Sequence, residues 1–257
     1  MINKIYFLNL DSKIERWNNL GKIKDLENIE RFSAINSVEN PMIYKEYGLE
    51  LNPVGFAHTL YFSSFYGAIG CYLSHYEMWK EILKNKWESV LIIEDDIHKD
   101  HLSNFLKEFK IENFIDYDLI QLSRRPGFGG TECYWLNYKA AEQLIKNTHN
   151  SIAFKNIKPA EIITNSFIKN KYIDVDEWDW NKKNSIVAPA DRFLYYSINK
   201  SATNPIKYDR RRKILLDYNL VFDSSIEDEN SYFKKEWSKE KMKKFIKSKQ
   251  YEWWKNK

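Results

Sequence analysis

Four consecutive apolar residues, Val90 to Ile93, run straight into three carboxylates, Glu94, Asp95 and Asp96. A run so short and so uniformly apolar reads as a strand covered on both faces, as in parallel sheets with helices above and below. The surrounding segments agree. Ile5 to Leu10 predicts a first strand, and Ser12 with Glu15 spells a capping box for a helix running to about Lys24. Arg31 to Ile35 predicts a second strand, and Leu49 to Tyr66, aromatic and broken by Pro53 and Gly55, a long loop. Gly67 to Asn85 places Ile69, Tyr72, Leu73, Tyr76, Trp79 and Leu83 on one helical face. Strands over Asp118–Leu122 and Glu132–Leu136 flank the loop RRPGFGG, and a helix follows over Tyr138–Asn147. Beyond Pro159 the pattern weakens to a helix near Ile162–Asn170 and a strand near Tyr172–Val175. This alternation is that of an α/β domain with a mainly parallel sheet.

Charge divides the chain. Residues 233–257 hold ten Lys against three Glu, a net +7, so residues 1–232 carry −3 of the whole chain's +4. We therefore expect a folded body over 1–232 and a basic, amphipathic C-terminal helix over 233–257, its lysines interleaved with Phe245, Trp253 and Trp254. Such a tail is a solvated helix packed on its aromatic stripe, or a peripheral contact with an anionic membrane surface. No apolar run approaches the length of a bilayer span. The apolar N-terminal stretch meets Asp11 too early for a secretory leader, which predicts a cytoplasmic protein. Two cysteines, Cys71 and Cys133, exclude a disulfide scaffold, and no CxxC or Cys/His pair shows zinc spacing.

The carboxylates carry the chemistry. In open α/β sheets, ligands bind beyond the C-terminal ends of the strands. Three adjacent carboxylates there repel one another unless a cation sits among them, and a hard divalent ion is the natural one. Alternation along an extended chain would turn Glu94 and Asp96 to one side and Asp95 to the other. The plain alternative is a solvated acidic turn. Asn9 and Asp11 are candidates for ribose or base recognition and Arg16 for a phosphate, against simple helix capping and a surface arginine. Ser74 and His75 are either a site pair or an ordinary helix pair, with the histidine satisfied in the core. Aromatic residues of 49–66 and 176–180 suit sugar stacking or plain packing.

Taken together, YFLNLDSKIERW (6–17), RFSAIN (31–36), GAIGCYLSHYEMW (67–79), VLIIEDD (90–96), DLIQL (118–122) and TECYWLNYKAAEQLI (131–145) resemble glycosyltransferase family 25. These are the lipopolysaccharide-biosynthesis and collagen-galactosyltransferase type, and the likeness covers about residues 5–146. The resemblance implies a GT-A-like nucleotide-sugar-binding fold. It implies a UDP-sugar donor, commonly UDP-galactose, and a glycan acceptor, lipid-linked or otherwise, or less readily a protein hydroxyl. It implies a divalent metal, Mn²⁺ or Mg²⁺, held by Glu94, Asp95 and Asp96, with Asp95 and Asp96 also in the catalytic set. Asn9, Asp11, Arg16, Ala34, Ser74 and His75 fall in the donor-binding set. Two positions depart from the family pattern. Ala68 stands where the family has Glu, and Pro159-Ala160-Glu161 stands where it has a P-x-D-like site, so a catalytic role there rests on Glu161. Asp174 and Asp191 are further candidates for a general base. A non-catalytic nucleotide- or glycan-binding homologue is the main alternative. A metal-dependent phosphoesterase would need more dispersed ligands. Nucleic-acid binding, argued only from Lys207–Lys213 and the tail, is not expected.

Overall fold

A computed structural model describes residues 2–21, 23, 27–51, 65–97, 99–109, 117–122 and 131–149, together with 185–186, 190, 194 and 208–209. β1 (Lys4–Asn9) lies beside β2 (Ile29–Ser33) and β4 (Val90–Glu94), parallel to both. β6 (Cys133–Leu136) pairs antiparallel with β4 and with β5 (Leu119–Gln121), and β8 (Tyr208–Asp209) closes the edge parallel to β5. The sheet order is β2-β1-β4-β6-β5-β8. The expected mainly parallel sheet is present, with β6 as its one reversed strand among the described residues. A short parallel pair joins β3 (Glu50–Leu51) to β7 (Ser185–Ile186).

The pleat of each strand sorts its side chains into two cores. Tyr6, Leu8, Val90, Ile92, Tyr134 and Leu136 face α2 (Phe65–Asn85) and α4 (Tyr138–His149). Ile5, Phe7, Leu91, Ile93, Cys133 and Trp135 face the other way, toward Leu102 and Phe105 of α3 (Lys99–Glu108). Val90 to Ile93 are fully buried. Each such side chain contributes about 1.5–3 kcal/mol from apolar burial, which accounts for the strand's uniform composition. α2 is buried well beyond a single stripe, because Ser74, His75, Met78 and Ile82 are enclosed along with Ile69, Tyr72, Leu73 and Trp79. Leu83, expected on the core stripe, is only partly buried. α4 is capped by Asn137, whose side-chain oxygen accepts the Ala140 N–H at 3.0 Å.

Three expectations need correction. The Ser12–Glu15 capping box does not form. The chain enters a 3-10 turn (Asp11–Lys13) and then α1 (Ile14–Asn18), neither with a side-chain cap. The Asp11 carboxylate instead accepts from Arg31 and from Ser33 Oγ. The helix ends well short of Lys24, and Gly21 follows with φ +60°, a left-handed value that suits glycine. Finally, β4 ends at Glu94, and Asp95 and Asp96 form a turn, so the pleat does not carry Asp96 to Glu94's side. α3 is an element the sequence reading passed over. The helix at 162–170, the strand at 172–175, the loop RRPGFGG and the tail 233–257 lie outside the described residues.

One contact fixes α2 against the loop after β2. A Cβ built on Gly70 would lie 2.4 Å from the Ile35 carbonyl oxygen and 2.9 Å from Ser37 Oγ, whereas one on Gly67 meets nothing within 4 Å. Helix propensity favours alanine at both sites by up to about 1 kcal/mol. At Gly70 the clash is with backbone and outweighs that gain. Gly70→Ala should destabilise the protein by about 1–3 kcal/mol in urea unfolding, while Gly67→Ala should be neutral or stabilising. Equal effects of the two would contradict the packing.

Candidate functional site

The C-terminal ends of β1, β2 and β4 gather one polar network. Asn9, the last residue of β1, donates from Nδ2 to Asp95 Oδ2 at 2.7 Å and to the Lys13 carbonyl at 2.9 Å. Its Oδ1 accepts from Arg31 Nε at 2.8 Å. Arg31 in turn pairs with Asp11, and Asp11 also accepts from Ser33 Oγ at 2.8 Å. Arg16 Nη1 reaches Asp95 Oδ1 at 3.0 Å. The strands explain the meeting. β1 and β2 run in register with Phe7 opposite Arg31 and Asn9 opposite Ser33, so a cation and a hydroxyl on one strand face an amide on its neighbour.

The structure thus brings together three of the residues singled out for the donor, Asn9, Asp11 and Arg16, and joins them to Asp95. Arg16 is engaged with a carboxylate here. Hydrogen bonds from Arg31 and Ser33 hold the Asp11 carboxyl below its ordinary value. Burial pushes the Asp95 carboxyl above 3.8, and Arg16 and Asn9 pull it part of the way back. Ala34 lies beside this network, its N–H bonded to the Asn9 carbonyl at 3.0 Å.

On the opposite face of the sheet sits a second group. His75 is fully buried, with Nδ1 2.8 Å from Tyr134 Oη and Nε2 3.0 Å from Glu94 Oε1. Trp79 Nε1 donates to the same Tyr134 oxygen at 3.0 Å. An oxygen that accepts from the Trp79 indole still has a hydrogen to give, so Tyr134 can donate to Nδ1 while Nε2–H donates to Glu94. Cys71, one turn before His75, places Sγ 3.9 Å from Glu94 Oε1. One ligand atom from each of Cys71, His75 and Glu94 lies within 4.8 Å of the others. The sequence reading found no Cys/His pair with zinc spacing. This is corrected: four residues apart on a helix is a shared face.

His75 is therefore a core histidine, satisfied by a phenol and a carboxylate rather than by a carbonyl. Ser74 is structural in its contacts: Oγ donates to the Gly70 carbonyl at 2.7 Å and accepts the Ile35 N–H at 2.8 Å. Asp96 lies in the turn after β4, partly buried. Glu161, Asp174 and Asp191 lie outside the described residues.

Sequence reasoning missed Arg31, Cys71, Tyr134 and Glu132. Glu132 is 2% exposed, and its carbonyl accepts the Glu94 N–H at 2.8 Å, so a further carboxylate-bearing residue stands at this end of the sheet. Arg31 was legible from strand alternation, two residues before Ser33. Cys71 was legible from its helical spacing to His75. Glu132 and Tyr134 were not, because nothing local shows that β6 runs backward beside β4.

Residues 2–125, just under half of the chain, match the family model described as "Glycosyltransferase family 25 (LPS biosynthesis protein)". Human procollagen galactosyltransferase 2 is 38% identical over 92 residues, 34% of this chain and 13% of that protein. A glycosyltransferase 25 family member of Drosophila pseudoobscura pseudoobscura is 30% identical over 132 residues, 48% of this chain and 21% of that protein. A protein of Bos taurus named "Probable inactive glycosyltransferase 25 family member 3" is 34% identical over 64 residues, 23% of this chain and 11% of that protein. The matches thus span between a tenth and about a fifth of the relatives' own length.

Two measurements check this geometry. Tyr134→Phe removes the oxygen shared by Trp79 and His75. It should cost about 1–3 kcal/mol in unfolding free energy; an unchanged stability would remove the shared phenol from the core. Arg16→Leu removes a group that lowers the Asp95 value, so the folded value rises further while the unfolded value stays. A carboxyl with a raised folded value contributes stability that is complete below 3.8 and is lost as pH rises through the folded value. The deficit of the variant should grow as pH rises above 3.8 through the folded values. A pH-independent deficit would exclude Asp95 as its source.

Proposed function

Because residues 2–125 match the glycosyltransferase family 25 model, we propose that this protein transfers a hexose, galactose first among the candidates, from a UDP-sugar to a glycan acceptor in lipopolysaccharide or surface-polysaccharide synthesis. The supporting observation is the network of Asn9, Asp11, Arg16, Arg31 and Asp95 at the C-terminal ends of three adjacent parallel strands. That is where an α/β sheet binds nucleotides. In this reading the fold is of the GT-A type. Galactose is favoured by the names of the procollagen galactosyltransferases. Those names also keep a protein hydroxyl as the alternative acceptor.

The carboxylates at the site suit a hard divalent ion, Mn²⁺ or Mg²⁺, because all are oxygen donors clustered at the ends of β4 and β6. Asp96 would hold it, with Glu94. Both Asp95 oxygens face Asn9 and Arg16, so Asp95 acts in this reading by holding those two side chains in place. Such an ion, when bound, supplies charge neutralisation for a leaving diphosphate. The chain's own residues do the rest. Arg31 and Asp11 offer a fixed donor and a fixed acceptor to the nucleoside. Arg16, already oriented by Asp95, presents its remaining N–H groups to phosphate oxygens. An inverting transfer needs a carboxylate to take the acceptor proton; Glu161, Asp174 and Asp191 remain the candidates. The basic tail, 233–257, would bring the protein to the inner face of a membrane carrying a lipid-linked acceptor. Among the described residues no helix is long and apolar enough to cross one.

A non-catalytic binding homologue is the second reading, favoured by Ala68 at the family's usual Glu position and by the bovine relative's name. Sugar transfer from a panel of nucleotide donors with Mn²⁺ decides between them. We expect turnover with UDP-galactose, and a loss of about 10²–10³-fold in Asp96→Asn. Full turnover in that variant would sink the metal role. Calorimetry showing UDP binding without turnover on any donor would favour the binding homologue.

A further inference from the structure

Glu94 is shared between two chemistries. On one side it belongs to the oxygen-rich strand ends. On the other, its Oε1 faces a thiol and an imidazole: Cys71 Sγ at 3.9 Å and His75 Nε2 at 3.0 Å. Sulfur, nitrogen and oxygen from one carboxylate form a donor set that Mg²⁺ and Mn²⁺ do not select and that Zn²⁺ does. We infer that Cys71, His75 and Glu94 form a binding site for a borderline-soft transition ion, Zn²⁺ foremost, separate in donor type from the hard-metal position at Asp96.

The geometry supports it. Tetrahedral Zn²⁺ with ordinary bond lengths sets its ligand atoms about 3.4–3.6 Å apart. The pairs here, 3.0 Å and 3.9 Å, bracket that spacing, and all three atoms lie within 4.8 Å of one another. Cys71 and His75 are one turn apart on a long, well-packed helix, and Glu94 ends a fully buried strand, so the ligands stand on rigid elements. The outer partner is also present. A metal-bound imidazole gives its other N–H to an oxygen, and Tyr134 Oη lies 2.8 Å from Nδ1, fixed from behind by Trp79.

Binding balances as follows. The hydrated ion gives up five of its six water ligands, gains bonds to Sγ, Nε2 and Oε1, and keeps one water in the fourth position. The thiol proton passes to solvent. The imidazole proton moves from Nε2 to Nδ1 by exchange with solvent, and Tyr134 Oη then accepts both that N–H and the Trp79 N–H. The phenol hydrogen loses Nδ1 as its acceptor. That cost lowers the affinity for every ion alike, so the choice among ions rests on the thiolate and imidazole donors.

The test uses the full chain without any sugar substrate, so its outcome is independent of the proposed transfer. Co²⁺ is titrated as a spectroscopic stand-in for Zn²⁺. We expect a thiolate-to-cobalt charge-transfer band and tetrahedral visible bands in the wild type, displaced by Zn²⁺ and absent in Cys71→Ser. The chain has two cysteines, and the other, Cys133, is fully buried with its thiol value pushed up by that burial, so the band reports Cys71. No band in the wild type, or a band that survives in Cys71→Ser, overturns the site. Alkylation of wild-type Cys71 by iodoacetamide, read by peptide mass, needs no variant. Zn²⁺ should slow it by about tenfold, and Mg²⁺ should leave it unchanged. A rate indifferent to Zn²⁺ overturns the site as well.

Discussion

The two-residue period of β4 is the constraint on which the rest depends. Val90, Ile92 and Glu94 turn toward α2, while Leu91 and Ile93 turn toward α3. Asp95, one step on, reaches Asn9 and Arg16 on that second side. Adjacent carboxylates in a half-buried strand end cannot share one environment without strong repulsion. The strand end and the turn after it solve this by giving each a different neighbourhood. Glu94 meets an imidazole, and Asp95 meets a guanidinium and an amide.

The two neighbourhoods are built with different chemistry. Around Asp95 the partners come from short, polar elements near the surface, α1 and the ends of β1 and β2. Around Glu94 they come from the middle of α2, where Tyr72, His75 and Trp79 are fully buried. A polar chain running from Glu94 through His75 and Tyr134 to Trp79 crosses that core with its hydrogen bonds made at each step. Such networks define a single arrangement because any broken link strands a buried polar group.

How much of this was legible from the sequence depended on whether the signal was local. β1, β4 and α2 were, because apolar runs and helical spacing report burial directly, whereas β2, polar and only partly buried, lies at Ile29–Ser33, two residues before its predicted place. The capping box at Ser12 did not form, and the neighbouring Asp11 carboxylate is held by two long-range partners, Arg31 and Ser33. α3 was missed because its buried residues, Leu102 and Phe105, are few and set among charges. At the site, Asn9, Asp11, Arg16 and Asp95 were each singled out from the sequence, but their mutual bonding was not foreseeable. It depends on strand register, which only the pairing reveals. The role of Glu132 depended likewise on β6 lying antiparallel beside β4.

The approach of Gly70 to the Ile35 carbonyl has a consequence for how this chain can vary. Ordinary core contacts drift over generations, because a larger residue on one side is matched by a smaller one on the other. Here the opposing atom is main-chain oxygen, which no substitution can shrink. Ser74, one turn further along the same helix, holds the adjacent Ile35 N–H. At position 70 the helix thus meets an atom common to every amino acid, while the bond to the Ile35 N–H rests on the Ser74 hydroxyl. Sequence change can pass around this contact, but it cannot be traded for another.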